Sequence, residues 1–97
     1  MLHRDIEFEW STETAANNLR KHGVSFDEAE TVFDDALARI FDDELHSDNE
    51  PREILIGYSS KNRLLIIAFV QRAHDLIRII SARRADRKEQ KVYEETT

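Results

Sequence analysis

Along the first ten residues, Ile6, Phe8 and Trp10 alternate with Glu7 and Glu9, a period of two that predicts a strand over 5–10 with one buried face. The period then lengthens. Ala15, Leu19 and His22 fall on one helical face behind the candidate N-caps Ser11 and Thr12, and Gly23 stands where a helix commonly stops. Ser25 and Glu28 have the spacing of a capping box, after which Phe26, Ala29 and Phe33 mark the buried stripe of a second helix ending near Asp35. Residues 37–42 form a candidate strand, and DDELHSDNEP, which contains the sole proline, reads as an acidic loop. Three apolar stretches follow, EILIGYSS, RLLIIAFVQ and DLIRIISA, joined by the short connections SKN and RAH. They predict an antiparallel meander whose middle strand is covered on both faces. Asp86 and Glu89 open a last helix that runs to about residue 95.

The order βααββββα defines an α+β class: an antiparallel sheet with two N-terminal helices and one C-terminal helix. At 97 residues, with two glycines and one proline, the chain reads as a single ordered domain over 1–97. The absence of cysteine excludes disulfides and thiolate metal sites. No apolar run is long enough to span a membrane, and MLHRDIEFEW lacks the apolar stretch of a signal peptide, so a cytoplasmic protein is expected.

The net charge of −6 hides an asymmetry. Residues 1–53 hold 15 acidic and 5 basic residues, −10; residues 54–97 hold 5 acidic and 9 basic, +4. Because screening confines exposed charges to about 8 Å at physiological salt, a basic patch on an acidic protein still attracts phosphate.

Arg78 lies within an apolar strand, where alternation groups it with Leu76 and Ile80, opposite Ile77 and Ile79. A guanidinium so placed needs a partner: a carboxylate in a structural ion pair, or a ligand phosphate that fits its planar fork. Arg83 falls at the junction of strand and helix, near amides that favour anions, and is a candidate to share a pocket with Arg78. Arg84, Lys88 and Lys91 have i, i+4, i+7 spacing on the last helix and predict a basic stripe, whose bland reading is a solvated helix face. Tyr93, one turn from Glu89, either packs on the sheet or reaches the site as a donor. His22 either bonds to backbone or serves acid–base chemistry beside Lys21. The spacing of Asp42, Asp43, Glu44, His46, Asp48 and Glu50 matches no metal-binding loop, so no metal site and no cofactor are expected.

Taken together, FEWSTETAANNLRKHGVSFDEAETVFDD at 8–35 and IRIISARRADRKEQKVYEE at 77–95 resemble the BrnT family of bacterial type II toxins. Asp86 stands where the resemblance leads one to expect Thr. The resemblance implies a RelE-like fold, RNA cleavage that arrests translation, and a BrnA-like ribbon-helix-helix antitoxin that alone links the protein to DNA, with toxin–antitoxin heterodimers able to pair. RNA carries its own nucleophile, so cleavage needs proton transfer and charge stabilisation rather than a metal. On that reading Arg78 and Arg83 hold the transition-state phosphate, His22 or Lys21 moves the proton, and Arg84, Lys88, Lys91 and Tyr93 contact the RNA. The competing expectations are a non-catalytic module that docks nucleic acid or protein through the basic patch, and a pure protein-interaction domain contacting a basic partner through its acidic half.

Overall fold

A computed structural model describes residues 5–46 and 50–95. Its elements are β1 (Glu7–Glu9), α1 (Thr12–His22), α2 (Phe26–Thr31), β2 (Arg39–Asp42), β3 (Arg52–Tyr58), β4 (Leu64–Ala73), β5 (Leu76–Arg84) and α3 (Arg87–Glu94), in the expected order βααββββα. Short 3₁₀ turns extend α2 through Val32–Asp34 and interrupt the acidic loop at Glu44–His46.

Local signals set the helix ends. Ser11 caps α1 by accepting from the Thr14 amide, and Gly23 closes it at φ 70°, a left-handed conformation in which Gly carries no Cβ penalty. Ser25 caps α2 through the Glu28 amide. Asp86 and Glu89 form the complete capping box of α3, so Asp at this position keeps the helix start intact.

The five strands lie in the order β1-β5-β4-β3-β2. Neighbours among β2 to β5 are antiparallel, but β1 joins β5 in parallel, making the sheet mixed. The parallel edge follows from the chain path: α1 and α2 return the chain across one face, and the meander brings its last strand back beside the first.

Each face has its own core. On one face Leu55, Leu65, Ile67, Phe69, Ile77 and Ile79 pack beneath Val24, Phe26, Ala29 and Val32 of the α1–α2 layer. On the other, Ile56, Ile66 and Tyr93 form a smaller cluster that α3 covers at one end only. Tyr93 is 6% exposed and donates its hydroxyl to Asp35 Oδ2 at 2.7 Å.

An irregularity in β5 resets which of its side chains share a face. The register runs Val70↔Arg78 and Phe69↔Ile79, then resumes at Ala68↔Ser81, so Ile80 is an extra residue in β5. Without this bulge Arg78, Ile80, Ala82 and Arg84 would share a face. With it, Ser81 and Arg83 join Arg78 on the face away from α1 and α2, while Ala82 and Arg84 turn toward those helices.

Candidate nucleic-acid interface

The face away from α1 and α2 gathers arginines from three strands, β2, β3 and β5. One cross-strand row reads Glu9, Arg78, Val70, Arg52; four residues further along β4, another reads Arg83, Ile66, Ile56, Arg39. Between them lie Ser81, Ala68, Ile54 and Phe41. Strand geometry places the two rows about 13 Å apart and neighbouring strands about 4.8 Å apart.

Both arginines expected to hold phosphate have internal partners. Arg78 donates from Nη1 to Glu9 Oε2 at 3.2 Å, and both side chains are about one-third exposed. Glu9 Oε2 also lies 4.0 Å from Arg72, which pairs with Glu50 at 3.2 Å. Arg83 grips Glu89 with both terminal nitrogens, at 2.9 and 2.7 Å, and donates from Nη1 to the Arg84 carbonyl. This fork lowers the Glu89 carboxyl below its ordinary range and raises the Arg83 guanidinium further.

The engaged edge of Arg83 is its terminal one. Its Nε–H and remaining Nη2–H, which together form the side fork of a guanidinium, bond to nothing among the described residues. Arg78 uses one donor only. The two arginines therefore share a face but do not converge on one point: each leans toward a different carboxylate.

A second group meets them at the edge of β5. Since β1 pairs only with Leu76–Arg78, the rest of β5 has a free edge, and α1 occupies it. Asn18, buried, accepts from the Ala82 amide at 3.1 Å and donates to the Ala82 carbonyl at 2.8 Å and to the Val24 carbonyl at 2.9 Å. A side-chain amide thus stands in for a missing strand. One helical turn beyond Asn18 come Lys21, exposed, and His22, half-buried, while Ala82, which Asn18 holds, directly precedes Arg83 and Arg84 in β5. The backbone bond expected for the His22 ring is absent among the described residues.

Two expectations are corrected. Arg84 belongs to β5, opposite Leu65, so the basic stripe of α3 consists of exposed Lys88 and Lys91 with Arg87 beside them. Tyr93 is a packing residue: burial and the Asp35 carboxylate push its phenol up to about 12, and its ring meets Tyr58 edge-on at 5.3 Å. Its hydroxyl is donated to Asp35. The imidazole of His46 and all of Asp48 lie outside the described residues, and among the described ones no group of three ligands is placed to hold a metal. No described helix is long and apolar enough to cross a membrane.

Arg39 and Arg52 were hidden in the acidic half of the sequence. Alternation within 37–42 would have found Arg39, since it puts Arg39 and Phe41 on one face; Arg52 needed the β3–β4 register. Arg39 lies over the Phe41 ring at 5.3 Å. An apolar cavity of about 270 Å³, lined by Ile6, Phe33, Leu55 and Phe69 together with Asp35 and Glu53, opens on the opposite face, away from these cations.

The fold is that of a small ribonuclease toxin. The crystal structure of the Brucella abortus ribonuclease toxin, BrnT, superposes with a TM-score of 0.65 at 20% identity, covering 84% of this chain and 99% of that one. The family described as "Ribonuclease toxin, BrnT, of type II toxin-antitoxin system" matches residues 10–89, and the chain belongs to it. Among curated proteins none matches.

Proposed function

We propose that this protein is a metal-independent endoribonuclease, the toxin of a type II pair, whose active centre lies where the end of α1 meets the end of β5. The observation that carries this reading is the Asn18–Ala82 clamp, which fixes α1 to β5 one helical turn before Lys21 and His22 and one residue before Arg83. The ribose 2′-oxygen bonds to the adjacent phosphorus as the bond to the 5′-oxygen breaks, leaving a 2′,3′-cyclic phosphate and a 5′-hydroxyl. His22 or Lys21 takes the 2′-hydroxyl proton or returns one to the 5′-oxygen. The open side fork of Arg83 meets the phosphate as it gains charge. Arg78 exchanges Glu9 for phosphate, and Arg84, Lys88 and Lys91 hold the RNA backbone. Cytoplasmic RNA cleavage arrests translation until a BrnA-like ribbon-helix-helix antitoxin binds, in paired toxin–antitoxin heterodimers, and DNA is reached only through that antitoxin.

Purified protein incubated with RNA in excess chelator yields cyclic-phosphate ends, and Arg78→Ala, folded as judged by its unfolding transition, loses most of that activity. Full cleavage by folded Arg78→Ala removes Arg78 from the mechanism. The internal pairing of both arginines favours one alternative, a binding module without chemistry; salt-sensitive RNA binding with no products would establish it.

A further inference from the structure

We propose that the Arg39–Phe41 pair on edge strand β2 is a base-stacking subsite, and that the bound single strand of RNA runs from Arg83 toward it over the half-buried row Ser81, Ala68 and Ile54, beside the Ile56–Ile66–Tyr93 cluster that α3 covers. This rests on the ribonuclease reading and extends it to residues outside the α1–β5 edge.

The geometry requires an extended ligand. Arg83 and Arg39 end the same cross-strand row on β5 and β2, three strands and therefore about 14 Å apart, with Arg78 and Arg52 marking the parallel row. No single phosphate spans that field; an oligonucleotide does. Beside these arginines and Arg72, the extra residue of β4 between Gln71 and Ala73, alternation places Tyr58 on this face and Glu7 and Glu9 at its β1 border, while Glu50 pairs with Arg72 and Glu89 with Arg83. Within β2, Arg39 and Asp42 lie on opposite faces.

The central residues Ala68 and Ile54 are apolar and half-buried, and they lead to the half-buried Phe41. Its ring packs against the Ile56–Ile66–Tyr93 cluster, which fixes it, and carries the Arg39 guanidinium above it. A guanidinium lying over an aromatic ring offers a flat cationic plane on which a nucleobase stacks while a neighbouring phosphate meets its edge. Recognition by stacking accepts any base, which suits a contact removed from the scissile bond.

The test uses a 2′-O-methyl RNA oligonucleotide, which resists 2′-attack, carrying 2-aminopurine along its length in separate preparations. Wild-type protein at low salt is expected to bind it and to quench 2-aminopurine at one position. Arg39→Lys, which keeps the charge on a half-exposed site and leaves the fold alone, should abolish that quench and weaken binding roughly five- to a hundredfold, the range of one lost stacking contact. Phe41→Leu should do the same. Unchanged affinity and quench in both variants overturns the subsite while cleavage of ordinary RNA by the wild type keeps the ribonuclease reading. Failure of the wild type both to bind the oligonucleotide and to cleave RNA overturns the reading and the subsite together.

Discussion

Two arginine–glutamate pairs, one at each side of the sheet, show how burial divides a structural contact from an available one. On the α1–α2 side, Glu28 is 4% exposed and receives Arg63 through Nε at 2.9 Å and through Nη2, together with the Ser59 hydroxyl at 2.6 Å. The Arg63 fork holds the Glu28 carboxyl below its ordinary value against the opposing effect of burial. Arg63 also reaches the Gly23 carbonyl, tying the end of α1 to the β3–β4 turn. On the open face, Arg78 and Glu9 meet through one bond of 3.2 Å with both side chains in reach of solvent. Water and salt compete more with the second pair than with the first, whose carboxylate is buried. For the proposed function, a glutamate that is readily exchanged would keep Arg78 extended toward phosphate.

The comparison is broken most severely from the buried side. Arg63→Ala leaves the Glu28 carboxylate buried without its cation, and the largest loss of stability in denaturant titrations is expected here. A loss no larger than that of Arg78→Ala would mean that the two pairs do not differ. Arg78→Ala is the counterpart: stability should move by about 1 kcal/mol or less, while RNA cleavage falls on the order of a hundredfold. Gly57→Ala separates packing from charge. A Cβ there meets Val32 Cγ1 at 2.9 Å and the Ala38 Cβ at 3.0 Å, so overpacking should cost about 1–3 kcal/mol with no loss of activity per folded molecule.

The pH dependence sharpens the same contrast at smaller scale. Glu28, Asp35 and Glu89 all have lowered folded-state values: Glu28 and Glu89 chiefly through their arginines, Asp35 through bonds from Tyr58, Leu37 and Tyr93 that outweigh its burial. Their contribution is therefore complete above the ordinary 4.5 of a glutamate and is lost as pH falls below it, so acid should lower the melting temperature progressively from about that point. Tyr93 behaves oppositely. With a folded value near 12 against an ordinary 10, its contribution is complete below pH 10 and is lost as pH rises through 12. An absorbance titration of the phenolate should show one tyrosine ionising near 12, and Tyr93→Phe should remove that transition at a cost of about 1 kcal/mol.

Much of the framework was legible from short-range signals. Ser11, Ser25, Gly23 and the Asp86–Glu89 box are local devices, completed within three or four residues, so each could be read before any tertiary contact was known. Alternation located β1, and apolar runs between short connections located β3, β4 and β5, for the same reason. The candidate site was only partly legible. Arg78 and Arg83 stood out as cations in or beside an apolar strand, yet their carboxylate partners, Glu9 at a separation of 69 residues and Glu89 across the strand–helix junction, depend on where the chain returns.

By itself, then, the sequence determined the element order, the helix caps, the two-faced strands and a chain whose cations crowd toward its end, because all of these follow from patterns within a few residues. Tertiary structure decided which face each cation occupies. Simple alternation sets Arg78 and Arg83 on opposite sides; the extra residue at Ile80 reverses the parity and reunites them. It also drew Arg39 and Arg52 out of the acidic half into the same surface, since strand pairing joins positions far apart in sequence according to register and not to local charge.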